Sequence, residues 1–150
     1  MPVVRFYQLA ASSSEVALLG ILVKILERGS RACLLAQDAL QVQRLDELLW
    51  RQPADRFLAH GPWNGPDPDR QPLLLSLEPD DRNGATILVL VSPRLVADPA
   101  RFDLVVDFVG KQEVALARDR YRRYQQQGCA MEYWAHSPEG RWTRQDKKES

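Results

Sequence analysis

Short apolar runs alternate along the chain with amphipathic stretches, and this alternation predicts its elements. Residues 3–9 are β-branched and aromatic and read as a strand. Residues 11–14, Ala-Ser-Ser-Ser, form a polar break that can cap a helix. Beyond Glu15 the apolar residues Val16, Leu19, Leu22, Val23 and Leu26 recur at spacings of three and four. That is the stripe of a helix over residues 14–28, with Gly29 where a helix ends. Residues 31–36 are nearly all apolar, the pattern of a strand covered on both faces. A strand–helix–strand unit results, with a right-handed crossover expected. Asp38 is a natural N-cap for a second helix over residues 39–51, in which Leu40, Val42, Leu45, Leu48 and Leu49 make the stripe and Pro53 ends it. Residues 57–60 are a candidate third strand.

The rest of the chain continues the alternation. Residues 61–71 contain Pro62, Pro66, Pro68 and Gly65 and read as a surface loop. Residues 73–77 and 86–91 are strand candidates separated by a turn-rich segment. Residues 102–109 are another, and Asp103 and Asp107 mark it as exposed on one side or placed at an edge. The clearest helix covers residues 111–127, with Val114, Leu116, Ala117, Tyr121 and Tyr124 on its apolar side, a basic opposite side and Gly128 as its stop. Residues 129–135 read as a last strand. Residues 137–150 are polar, without apolar periodicity, and are expected to be a mobile tail. The expected fold is one α/β domain over residues 1–136, three-layered, with a mostly parallel sheet between helices on both faces and a Rossmann-like topology.

Composition narrows the function. At 150 residues and 45% hydrophobic content, one core is expected and two are not. Lys plus Arg and Asp plus Glu are 20 each, so no overall field draws the molecule to nucleic acid or an anionic membrane. Cys33 and Cys129 lie in no CxxC or Cys/His cluster and read as buried free thiols, which suits a reducing cytoplasm. No basic segment followed by an apolar one opens the chain, and the apolar runs fall short of the ~18 to 20 residues that cross a bilayer. A soluble, cytoplasmic protein is expected.

Most catalytic chemistry is missing. A doubly wound sheet binds phosphate at the first strand-to-helix turn, yet residues 10–14, Ala-Ala-Ser-Ser-Ser, offer no glycine, and neither GxGxxG nor GxxxxGK[ST] occurs. No nucleotide or other cofactor is expected. His60 and His136 are the two histidines and read as surface residues, with no HExxH or GxSxG beside them. Glu78, Asp80 and Asp81 surround Pro79 and read as a solvated turn rather than a cation site. What stands out is Arg118, Arg120, Arg122 and Arg123 around Tyr121 and Tyr124. Arg118 and Arg122 are four apart with Tyr121 on the same side, so two guanidinium forks flank an aromatic ring. Such a face suits an anionic ligand. An ordinary solvated helix, with Asp119 pairing locally, remains the alternative.

Three stretches together resemble one family, the chi subunit of bacterial DNA polymerase III. They are Val4-Arg5-Phe6-Tyr7-Gln8-Leu9; Gln43-Arg44-Leu45-Asp46-Glu47-Leu48-Leu49-Trp50 followed by Pro53, Phe57, His60 and the Gly/Pro loop; and Val105-Val106-Asp107-Phe108-Val109 leading into Ala117-Arg118-Asp119-Arg120-Tyr121-Arg122-Arg123-Tyr124. The resemblance implies a non-catalytic subunit that binds the psi subunit and, on a separate surface, the acidic C-terminal tail of single-stranded DNA-binding protein, which ends in Phe. It implies a tail pocket of Arg118, Tyr121, Arg122, Trp50, Phe57 and Val109. Arg122 stands where the family often has Lys, and Gln125 where a further basic residue is common, with Arg123 the neighbouring cation. The stretch from Ser137 onward is longer than the usual family ending. Two rival functions remain: direct binding of single-stranded nucleic acid by the arginine helix, and a nucleotide-metabolising α/β enzyme.

Overall fold

The computed structural model of the chain describes residues 2–9, 14–51, 57–136 and 141–145. The polar break at residues 11–13 and Pro53 lie outside them. The strands are β1 (Val3–Gln8), β2 (Ala32–Leu35), β3 (His60–Pro62), β4 (Leu73–Ser76), β5 (Ile87–Leu90), β6 (Leu104–Val109), β7 (Ala130–His136) and β8 (Trp142–Arg144). The α-helices are α1 (Ser14–Glu27), α2 (Ala39–Arg51) and α3 (Val114–Gln126), and single 3-10 turns occur at Pro68–Arg70, Pro99–Arg101 and Lys111–Glu113.

All eight strands join one sheet in the order β3-β4-β2-β5-β6-β1-β7-β8. Every neighbouring pair is parallel except β7 and β8. β1 and β2 share a direction but are separated by β5 and β6, so the first strand–helix–strand unit spans the sheet rather than pairing its two strands. Period-two alternation sends Leu34 to one face and Cys33 and Leu35 to the other. The first face carries Leu73, Leu75, Val89 and Val106 under α1 and α2. The second carries Val4, Phe6, Leu88 and Val105 under Ala117 and Tyr124 of α3. This is the three-layer α/β architecture expected from the alternation of elements.

Local signals set several boundaries. Asp38 caps α2 by accepting the Gln41 N–H at 2.8 Å, while Gln41 Oε1 accepts the Gln37 N–H at 2.8 Å. Gly29 (φ 72°) and Gly128 (φ 86°) end α1 and α3 in left-handed backbone. In each cap the next residue's N–H returns to the carbonyl five positions back, Ser30 to Ile25 at 3.0 Å and Cys129 to Tyr124 at 3.2 Å.

Five expectations need correction. The inward face of α1 is Ala17, Leu18, Leu22 and Ile25, whereas Val16 is 63% exposed. α1 is apolar almost all round between Val16 and Val23, so more than one face satisfies the spacing, and the sheet selects one. Leu40 and Leu116 also left their predicted stripes and are exposed. The third strand begins at His60 instead of spanning residues 57–60. β6 lies between β5 and β1, not at an edge, and Asp107 is fully buried. Lastly, β8 falls in the stretch read as a featureless tail; Trp142 packs edge-on against Tyr7 at 4.7 Å and stacks on His136 at 4.4 Å.

Candidate functional site

The site is built around α3, whose rotation on the sheet is set by its buried positions. Ala117, Arg120 and Tyr124 face inward at helical spacing. Arg120 donates twice to Asp107 of β6, Nε to Oδ2 at 2.8 Å and Nη2 to Oδ1 at 2.9 Å. The Tyr124 hydroxyl accepts the Val96 N–H at 2.8 Å. Burial pushes the Tyr124 hydroxyl up to about 12. It also raises Asp107, with the Arg120 hydrogen bonds and charge pulling the other way. Arg120 is therefore a pin beneath the helix and not part of its exposed basic face, as its spacing from Ala117 and Tyr124 indicates.

With those positions inward, Arg118, Tyr121 and Arg122 come together on the flank of α3 nearest β1 and β7. They line a shallow depression of roughly 380 Å³ with Gln8, Val114, Tyr133 and Gln145. Its floor is aromatic: Tyr121 lies 5.7 Å from Phe6 and 6.3 Å from Tyr133 between ring centres. Tyr133 donates its hydroxyl proton to Gln8 Oε1 at 2.7 Å, and its acidity is weakened by burial while the Arg118 charge partly restores it. The rim is cationic. Asp119 is shared between Arg123 at 3.1 Å and Arg122 at 3.8 Å, so the closer pairing goes to Arg123 and leaves the Arg122 fork, whose side chain is 69% exposed, open to a ligand. Gln125 is exposed and does not line the depression.

The other expected site residues lie elsewhere. Trp50 and Phe57 are 62% and 68% exposed and pack against each other at 5.6 Å, with Trp50 edge-on to His60 at 5.0 Å. They sit where α2 ends beside β3, the edge opposite β8, on the sheet face that α1 and α2 cover. They are not among the residues lining the depression beside α3. Val109 shares the α3 face but has 0% exposure, so it supports the site from within the core. Sequence reasoning missed Gln8, Tyr133 and Gln145 as site residues. Alternation along β1 and β7 places Gln8 and Tyr133 with Phe6, a signal visible only once those strands are known to be neighbours.

The other side chains able to carry chemistry are buried or paired within the fold. His60 is buried, contrary to the surface expectation, with Nδ1 donating to the Leu58 carbonyl at 2.6 Å and Nε2 at 2.9 Å from Asp46 Oδ1. Both ring nitrogens are thus occupied within the fold. Cys33 and Cys129 are buried free thiols, and burial pushes Cys33 up to about 12. Asp80 pairs with Arg82 at 2.7 Å and Asp81 with Arg101 at 3.2 Å, and among the described residues no group of three or more metal-ligating side chains assembles. No helix among them is long and apolar enough to cross a membrane.

Comparison with known proteins identifies similar sequences. The family described as DNA polymerase III chi subunit, HolC, matches residues 1–132. The DNA polymerase III subunit chi of Escherichia coli (strain K12) is 36% identical over 109 residues, covering 67% of this chain and 70% of that protein. A probable DNA polymerase III subunit chi of Rickettsia prowazekii (strain Madrid E) is 30% identical over 81 residues, covering 54% of this chain and 49%, about half, of that protein.

Proposed function

Because this chain belongs to the DNA polymerase III chi subunit family, we propose that it is a non-catalytic accessory subunit of the replicative polymerase that holds the acidic tail of single-stranded DNA-binding protein in the α3 depression and the psi subunit on a second surface. The observation that carries the reading is the joining of Arg118, Tyr121 and Arg122 around an aromatic floor. A chain terminus ending in Phe needs a guanidinium for its carboxylate and an apolar wall for its ring. Preceding aspartates suit the Arg122 and Arg123 side of the rim. The exposed pair Trp50 and Phe57, on the other face and at the far edge, is the surface left for psi. Solvent-facing aromatics in contact with each other are what a protein interface buries at its centre.

The test is fluorescence anisotropy with a labelled acidic peptide ending in Phe. Arg122→Ala and Arg118→Ala are each expected to weaken binding by about 1–3 kcal/mol, the range for losing a charge-assisted hydrogen bond. Tyr121→Ala should weaken it with less dependence on salt, since apolar contact is not screened. Trp50→Ala, Phe57→Ala and Arg51→Ala should leave peptide affinity unchanged. Equal affinity of wild type and the Arg118, Arg122 double variant, with folding intact by circular dichroism, would refute the site.

A further inference from the structure

We infer that the groove between the C-terminal half of α1 and the β1-β7-β8 end of the sheet binds single-stranded nucleic acid. The groove holds roughly 340 Å³, and its charged and aromatic lining is Arg5, Tyr7, Lys24, Arg28, Trp134 and Trp142, with Ser30 and an aliphatic floor. Three of these are cations, and no carboxylate lines the groove among the described residues. The chain's charges cancel overall, so this local surplus is placed rather than a by-product of composition.

Strand register explains how the lining assembles. Phe6 points to the α3 face, so Arg5 and Tyr7 point to the face that carries α1. Tyr7 is opposite Trp134, and Trp134 is opposite Arg144, which makes a continuous row across three strands. Glu132 holds Arg5 at 2.9 Å and accepts the Trp134 indole N–H at 3.0 Å, which fixes the indole by its edge. Trp142 closes the far side against Tyr7 and His136. Arg5 is thus largely neutralised, and the free positive surplus comes from Lys24 and Arg28, one turn apart and both exposed. They lie at the C-terminal end of α1, where their full charges outweigh the partial negative charge of the helix end.

A single strand requires a cationic track for phosphates beside aromatic rings on which unpaired bases stack. Lys24 and Arg28 supply the track, and Tyr7, Trp134 and Trp142 supply the rings. A duplex offers no unstacked base to such a crevice, so single strands are selected. Trp134 and Trp142 lie beyond residues 1–132, the part that the family matches. The groove lies on the opposite face of the sheet from the α3 depression, and the two readings stand or fall separately.

The experiment is a titration of the full chain against a fluorescein-labelled oligothymidylate of about 12 nucleotides, within the site sizes of single-strand-binding folds, over a salt series. Saturable binding at low salt is expected, with quenching of tryptophan emission. The Lys24→Glu, Arg28→Glu double variant should bind roughly tenfold or more weakly with a shallower salt slope. Trp134→Leu should lose affinity roughly tenfold with the salt slope retained. The Arg118→Glu, Arg122→Glu double variant should bind like wild type, and circular dichroism should show every variant folded. No saturable binding by wild type, or binding indifferent to the Lys24, Arg28 reversal, overturns the proposal. So does binding abolished by the α3 reversal, which would move the nucleic-acid surface to the other face. Competition by thymidine monophosphate as effective per nucleotide as the oligomer overturns it as well, since that marks a mononucleotide pocket.

Discussion

Replacing Arg120 by methionine should destabilise the protein by about 3–5 kcal/mol at neutral pH, the range for removing one partner of a buried ion pair. The pair is bidentate, at 2.8 and 2.9 Å, with side-chain exposures of 9% for Arg120 and 0% for Asp107. Methionine keeps an apolar side chain but removes the guanidinium, which lies 5.9 Å from the Phe6 ring centre, and leaves the Asp107 carboxylate without a counter-charge. Burial already raises Asp107 above the ordinary carboxylate range against the pull of Arg120, and without that pull the rise is larger. A folded-state pKa above the unfolded one means that the folded protein keeps a proton the unfolded chain has lost. Stability from this group is therefore present below about pH 3.9 and is lost as pH rises through the folded value. The deficit of the variant should be small near pH 4 and full at pH 7. Urea unfolding at the two pH values measures it, with the midpoint lowered and the slope unchanged. Adding Asp107→Val removes the stranded charge and should restore most of the stability at pH 7. Because the same pair sets the rotation of α3, acidic-peptide affinity should fall and recover in parallel. A deficit below about 1 kcal/mol at pH 7, or one that grows toward acid, would refute the argument.

Other consequences follow from particular contacts. Truncation after His136 removes Trp142 from Tyr7 and His136; two aromatic contacts are worth about 0.5–1.5 kcal/mol each, so calorimetry should show a melting point lower by about 4–8 °C, and an unchanged value would mean β8 is not docked. Gly128→Ala should cost about 1–2 kcal/mol because φ is 86° there, whereas Gly20→Ala, in a helix with nothing within 4 Å of the added carbon, should stabilise by up to about 1 kcal/mol; equal signs in chemical denaturation would contradict the backbone reading. Both thiols should resist a thiol-reactive dye in the native protein at pH 8 and react fully in denaturant, since burial raises Cys33 to about 12 and Cys129 above its ordinary value. Rapid native labelling of Cys33 would count against its burial.

Spacing along the chain was enough to place what depends on near neighbours. The all-apolar β2, the α2 positions Val42, Leu45, Leu48 and Leu49, the Asp38 cap and the glycine stops at Gly29 and Gly128 are each determined within a few residues, because a helical turn or a cap is closed by atoms only three to five positions apart. Sheet order is not so encoded. β1 binds β6 and β7, so Val3 meets Leu104 and Ala130, and no local period records that choice. From it follow the burial of Asp107, which a linear reading takes for an edge residue, and its capture of Arg120 from the arginine-rich run of α3. From it also follow the apposition of Gln8 and Tyr133 beside Tyr121 and the separation of Trp50 and Phe57 onto the opposite face. The charge of a side chain is written in the sequence, but whether it meets water, a partner or a ligand depends on which distant strand becomes its neighbour, and burial of the common core decides that.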